Sequence, residues 1–147
     1  MKTPFASVLI LISSLALGCS TPAPSAPAPS APTHPTALEG RTWAVVSVAG
    51  RPPVADSHPT IIFSATDVRG STGCNGYGGA YRYDASTGRI TIAESLLMTE
   101  MACPGGRDVF ESAFVAALAK ATDVSLDATG GLVLSGAGGQ ILLAATR

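Results

Sequence analysis

From Leu38 onward, apolar and polar residues alternate in short runs broken by glycine and proline, the rhythm of a β-rich domain. Thr42-Trp43-Ala44-Val45-Val46-Ser47-Val48 is a β-branched run stopped by Gly50, Pro52 and Pro53, and Thr60-Ile61-Ile62-Phe63 follows Pro59. Both read as strands. Asp67 to Ser71 and Tyr77 to Tyr83 are candidate strands flanking a glycine-rich segment. Asp84-Ala85-Ser86-Thr87-Gly88 then turns the chain into Arg89-Ile90-Thr91-Ile92-Ala93, which predicts a hairpin. Val124-Ser125-Leu126, Gly131-Leu132-Val133-Leu134 and Gln140-Ile141-Leu142-Leu143-Ala144 complete the set between glycine-rich turns. Short strands at this spacing predict a small barrel or a sandwich.

One segment departs from the period of two. Between Arg107 and Ala121 the residues Phe110, Ala113, Phe114, Ala117, Leu118 and Ala121 recur at helical spacing, with Glu111, Ser112 and Lys120 elsewhere on the wheel. The chain therefore reads as mostly β (α+β) with one helix, whose Phe110/Phe114 stripe packs on the sheet or plugs a barrel end. A cofactor or partner groove is the sharper reading of the same stripe.

The N-terminal 37 residues follow neither pattern. Lys2, an apolar stretch from Phe5 to Leu17 and then Gly18-Cys19 have the layout of a signal peptide over residues 1–18. The stretch is shorter than the roughly 20 residues needed to span a bilayer. Leu15-Ala16-Leu17-Gly18-Cys19 resembles a bacterial lipobox, in which Cys19 is acylated and becomes the first mature residue; Ala16 stands where that motif usually has leucine. Ordinary signal cleavage is the plainer alternative. Residues 19–37 are rich in proline and alanine and bury nothing, so they read as a tether extending at about 3.1 Å per residue, with His34 a solvated side chain. The expected protein is anchored by lipid to a membrane of the bacterial cell envelope and faces the extracytoplasmic side, with one domain over residues 38–147.

A formal net charge of -1 carries no basic footprint, which argues against a nucleic-acid partner. The expected partners are the membrane, through the lipid on Cys19, and an envelope protein or small ligand. With Cys19 assigned to lipid, Cys74 and Cys103 form an even pair and read as a disulfide in a compartment that sustains one. Two thiols and His58 fall short of a zinc site, and there is no Cys-x-x-Cys to suggest a redox dithiol. Gly70, Gly73, Gly76, Gly78 and Gly79 lack the Gly-Lys-Ser/Thr ending of a phosphate-binding loop. No metal or cofactor is expected. In an extended chain Tyr77, Gly79, Tyr81 and Tyr83 share a face, either packed in the core or, for Tyr77, Tyr81 and Tyr83, a candidate ligand or partner face. Trp43 is first a core anchor. His58 has no nucleophile signature beside it, and Glu94 and Glu100 are scattered carboxylates, so no catalytic residue is assigned.

Together these landmarks resemble the META domain, the family of the HslJ-type heat-shock lipoproteins. Leu38-Glu39-Gly40-Arg41-Thr42-Trp43 is similar to the family's opening Leu-x-Gly-x-x-Trp, and Val68 through Tyr81 to its central Gly-Cys-Asn-x-Tyr-x-Gly-x-Tyr signature. Thr99 to Cys103 is similar to its Thr-x-Met-Ala-Cys, and the helix and Leu132-x-Leu134 follow in order. The resemblance implies a compact, mostly antiparallel, barrel-like fold with one helix, and no defined chemistry. The expected function is a non-enzymatic binding or stress-protective module. A protein-binding hydrolase inhibitor and a small-ligand carrier with an apolar cavity are the alternatives. The carrier requires an interior left open rather than filled by Trp43, Phe63, Phe110 and Phe114.

Overall fold

The structure is a computed structural model describing residues 33–146. Its elements run β1 (Thr42–Val48), β2 (Thr60–Phe63), β3 (Asp67–Ser71), β4 (Gly76–Asp84), β5 (Arg89–Ile92), β6 (Leu97–Met98), α1 (Arg107–Ala119), β7 (Ala121–Leu126), β8 (Leu132–Gly136) and β9 (Gly139–Ala145). The order β3-β2-β1-β9-β8-β7-β5-β4 returns to β3 through a β3–β4 pairing, so eight antiparallel strands close a barrel. The short β6 pairs with β4 alone, across from β3, and continues the line of β5.

Alternation sends one face of each strand inward: Ile61 and Phe63 from β2, Ile90 and Ile92 from β5, Leu132 and Leu134 from β8, Ile141 and Leu143 from β9. Strict alternation in β1 would bury Ser47 with Trp43 and Val45. A bulge between Val45 and Ser47 instead leaves Val46 half exposed and turns Val48 inward. A matching irregularity between Ala121 and Asp123 keeps both Ala121 and Val124 in the core.

An eight-stranded barrel has an interior just wide enough for side chains to fill. Trp43, Phe63, Phe110 and Phe114 are all buried, and aromatic rings pair across the interior: Phe63 with Tyr81 at 5.0 Å and Tyr77 with Phe114 at 5.4 Å. The stripe on α1 thus belongs to the core. The helix ends at Ala119, two residues short of the apolar periodicity, because Ala121 pairs with Gly136 and opens β7. Pairing across the sheet overrides a weak helical preference in an alanine-rich run.

Part of the proline-rich segment is seated on the barrel. The Leu126 amide donates to the Thr33 carbonyl at 2.9 Å, and His34 Nδ1 donates to the Val124 carbonyl at 2.9 Å. The Tyr83 hydroxyl donates to the Pro35 carbonyl at 2.7 Å, and Leu38 is buried behind them. Residues 33–38 therefore form a strap, and His34 is a hydrogen-bonded side chain rather than a solvated one. The signal segment, Cys19 and the tether up to residue 32 lie outside the described residues.

Candidate functional site

The glycine-rich turn between β3 and β4 holds the densest polar construction in the domain. Thr72 and Asn75 close the turn on each other: the Thr72 amide donates to the Asn75 carbonyl at 2.8 Å, and the Asn75 amide to the Thr72 side-chain Oγ1 at 2.9 Å. The Asn75 side chain then reaches two other parts of the chain. Its Oδ1 accepts from the Met101 amide at 2.8 Å and from Thr99 Oγ1 at 2.9 Å, while Nδ2 donates to the Met101 carbonyl at 3.3 Å and to Glu111 Oε1 at 3.0 Å. Thr72 Oγ1 donates to the other Glu111 oxygen. A disulfide joins Cys74 to Cys103, with Cα atoms 5.9 Å apart. The Gly-Cys-Asn and Thr-x-Met-Ala-Cys segments are thus two halves of one latch, and Glu111 fastens α1 to it.

That latch is chemically self-contained. Thr72 and Asn75 are buried, and each polar atom of the Asn75 side chain is taken by the protein. Such a network rigidifies; it presents no free acid, base or nucleophile. His58, Glu94 and Glu100 are exposed and stand outside it. Among the described residues, no three of His, Cys, Asp and Glu converge as a metal site requires, and no helix is long and apolar enough to cross a membrane.

The tyrosines share the inward face of β4, as their spacing predicts. Tyr77 and Tyr81 are buried and Tyr83 is half-buried. The Tyr77 hydroxyl donates to the Thr60 carbonyl at 3.0 Å and the Tyr81 hydroxyl to the Ser64 carbonyl at 2.6 Å, so the two rings clamp both ends of β2. Tyr77 reaches Thr60 by passing Gly70, where a Cβ would lie 2.0 Å from the Thr60 oxygen; only glycine admits that approach. Burial pushes the Tyr77 phenol far above its ordinary range. Burial first and then Glu39 raise Tyr81; burial first and then Asp84 raise Tyr83. All three hydroxyls are committed to the protein, while Tyr81 and Tyr83 also line an open pocket of about 580 Å³ with Arg82 and Thr91.

With the interior occupied, open concave space lies on the outer wall. One groove, of about 650 Å³, runs across β2, β3, β4 and β6 beside the latch. A second groove of about 380 Å³ runs between α1 and the β5–β6 connection. The sequence carries the cysteines and Asn75 in plain view, but the part played by Thr72 and Glu111 was not legible. The one available signal is a lone carboxylate, Glu111, next to the Phe110/Phe114 stripe.

Comparison with known proteins places this geometry among relatives. A family model described as the META domain matches residues 36–147. An NMR structure of a protein from Burkholderia xenovorans has 23% identity and a TM-score of 0.61, covering 86% of this chain and 99% of that one. A second NMR structure has 26% identity and a TM-score of 0.58, covering 72% and 89%. The crystal structure of a DUF4847 family protein from Bacteroides vulgatus shares the fold at 18% identity and a TM-score of 0.54, covering 73% and 93%. Curated protein sequences give no significant match.

Proposed function

The chain belongs to the META domain family, and from that premise we propose that it serves as a non-enzymatic binding or stress-protective module of the bacterial cell envelope. In this reading residues 1–18 direct export, acylated Cys19 holds the protein at the membrane, and the proline-rich tether lets the domain reach a partner. The observation that carries the reading is the filled interior. With Trp43, Phe63, Phe110 and Phe114 packed inside and the polar latch spent on itself, action falls to the outer surface. The carrier alternative would require an apolar cavity where these rings now sit. A surface-acting inhibitor of an envelope hydrolase is one form of the proposed role.

The test compares survival of envelope stress in cells carrying the chain, a Cys19→Ser form, and His58→Ala, Glu94→Gln and Glu100→Gln variants. Anchoring raises the effective concentration near the membrane. Cys19→Ser should leave the membrane fraction and weaken protection, while the other three should protect as the parent does. Loss of protection from a well-folded His58 or carboxylate variant would put an enzymatic reading first.

A further inference from the structure

Resting on the binding role, the outer groove can be assigned an occupant. Its floor is β4, and the strand register fixes its walls. Gly78 lies between Arg69 of β3 and Leu97 of β6, while Gly76 lies between Ser71 and Thr99. Two strand spacings of about 4.8 Å separate the walls, a width that admits one side chain.

Nothing inside the domain calls for glycine at these two positions. Unlike Gly70, they face outward with ordinary backbone angles, and an added Cβ would meet nothing nearer than 3.8 Å at Gly78 or 3.9 Å at Gly76. Glycine weakens a strand, and within one it often marks a place that another chain approaches closely. The walls agree. Leu97 is 83% exposed, and Ile62, opposite Arg69 on the outer face of β2, continues the apolar surface. Arg69 is the only charged residue lining the groove and has no ion-pair partner among the described residues.

We infer that this groove docks a polypeptide segment of a partner protein, one in which a bulky apolar side chain is followed by an acidic residue. The apolar side chain seats on the Gly76–Gly78 backbone against Leu97, and the carboxylate meets the Arg69 guanidinium, which can bind it through two parallel hydrogen bonds. A floor of bare backbone between one apolar and one cationic wall matches two unlike side chains carried on one main chain, which favours a polypeptide over a small molecule.

The probe is an array of octapeptides whose central pair runs through every combination of residues, read with the full chain in detergent. Enrichment of bulky apolar residues followed by Asp or Glu is expected. Gly78→Val, whose added Cβ meets nothing nearer than 3.8 Å, and Leu97→Ser should each reduce the signal at least tenfold, with urea midpoints no lower than the parent's. Arg69→Gln should erase the preference for Asp over Asn. Absence of any preference, or a preference that survives Gly78→Val, overturns the assignment. If Gly78→Val abolishes peptide binding yet protects cells as the parent does, the groove is not the working surface and the binding role stands without it. If the parent binds the peptides but gives no protection, the stress role falls and the groove remains.

Discussion

Replacing Asn75 by alanine tests whether the latch, rather than the disulfide alone, holds the loop between β6 and α1. The side chain makes five hydrogen bonds, two with Met101 and one each with Thr99, the Cys103 sulfur and the Glu111 carboxylate. A typical buried bond contributes about 1 kcal/mol and one to a charged group about 1.5 to 3. The Met101 carbonyl bond, at 3.3 Å, is the weakest, and Thr99 and Met101 lie at the surface, where water can replace part of the loss. The expected cost is therefore about 3 to 4 kcal/mol, a large part of the roughly 5 to 15 that a small domain possesses. It rivals the disulfide, whose loop, closed across a separation of 29 residues, is worth about 3 to 4 kcal/mol in the chain-entropy model. Urea unfolding of the oxidised protein measures it, with a midpoint drop of roughly 1.5 M or more expected at a typical small-protein slope. Asn75→Asp sharpens the test, because it sets a second carboxylate against Glu111 Oε1, now 3.0 Å from Nδ2. That variant should be destabilised at neutral pH and recover as acid removes the repulsion. A loss below about 1 kcal/mol for Asn75→Ala, or neutral-pH stability unchanged in Asn75→Asp, would refute the reasoning.

Two further outcomes follow from the clamp on β2. Gly70→Ala places a methyl group 2.0 Å from the Thr60 carbonyl oxygen and forces β2 from β3, so urea unfolding should show a loss of about 3 kcal/mol or more; outward Gly78→Ala should instead gain about 0.5 to 1 kcal/mol. The second concerns alkali: the raised phenols of Tyr77, Tyr81 and Tyr83 keep their protons in the folded state after the unfolded chain has begun to lose them near pH 10. Stability should hold below that value and fall as pH rises beyond it. Absorbance at about 295 nm should show native tyrosines ionising late, and Tyr77→Phe should flatten the decline; free titration of all three near pH 10 would count against their burial.

The strands were legible because each obeys a local rule. The β-branched run of β1 and the hairpin from Tyr77 through Ile92 need only alternation and turn chemistry, and the structure forms them at those places. Choosing between barrel and sandwich was beyond that rule, since closure depends on β3 meeting β4 beneath the tyrosines. The two-residue β6 is too short to show a period. The latch escaped for a different reason: Asn75 finds partners 24 to 36 residues away, and chain order does not show which polar side chains meet. In the strap, composition registers prolines and alanines that need no burial. It is silent about the Val124 and Leu126 backbone groups that Thr33 and His34 satisfy.

The strap also decides how the domain responds to load. Its outermost attachments, at Thr33 and His34, are single hydrogen bonds met one after another along the end of β7. A pull applied from the N-terminal side strains these bonds in sequence, as a zipper opens, whereas the barrel wall is tied by ladders that must shear together. The strap gives way first. Each residue released adds roughly 3.3 Å of reach, and the latch and outer groove, built from residues of the wall and α1, keep their shape while the leash pays out.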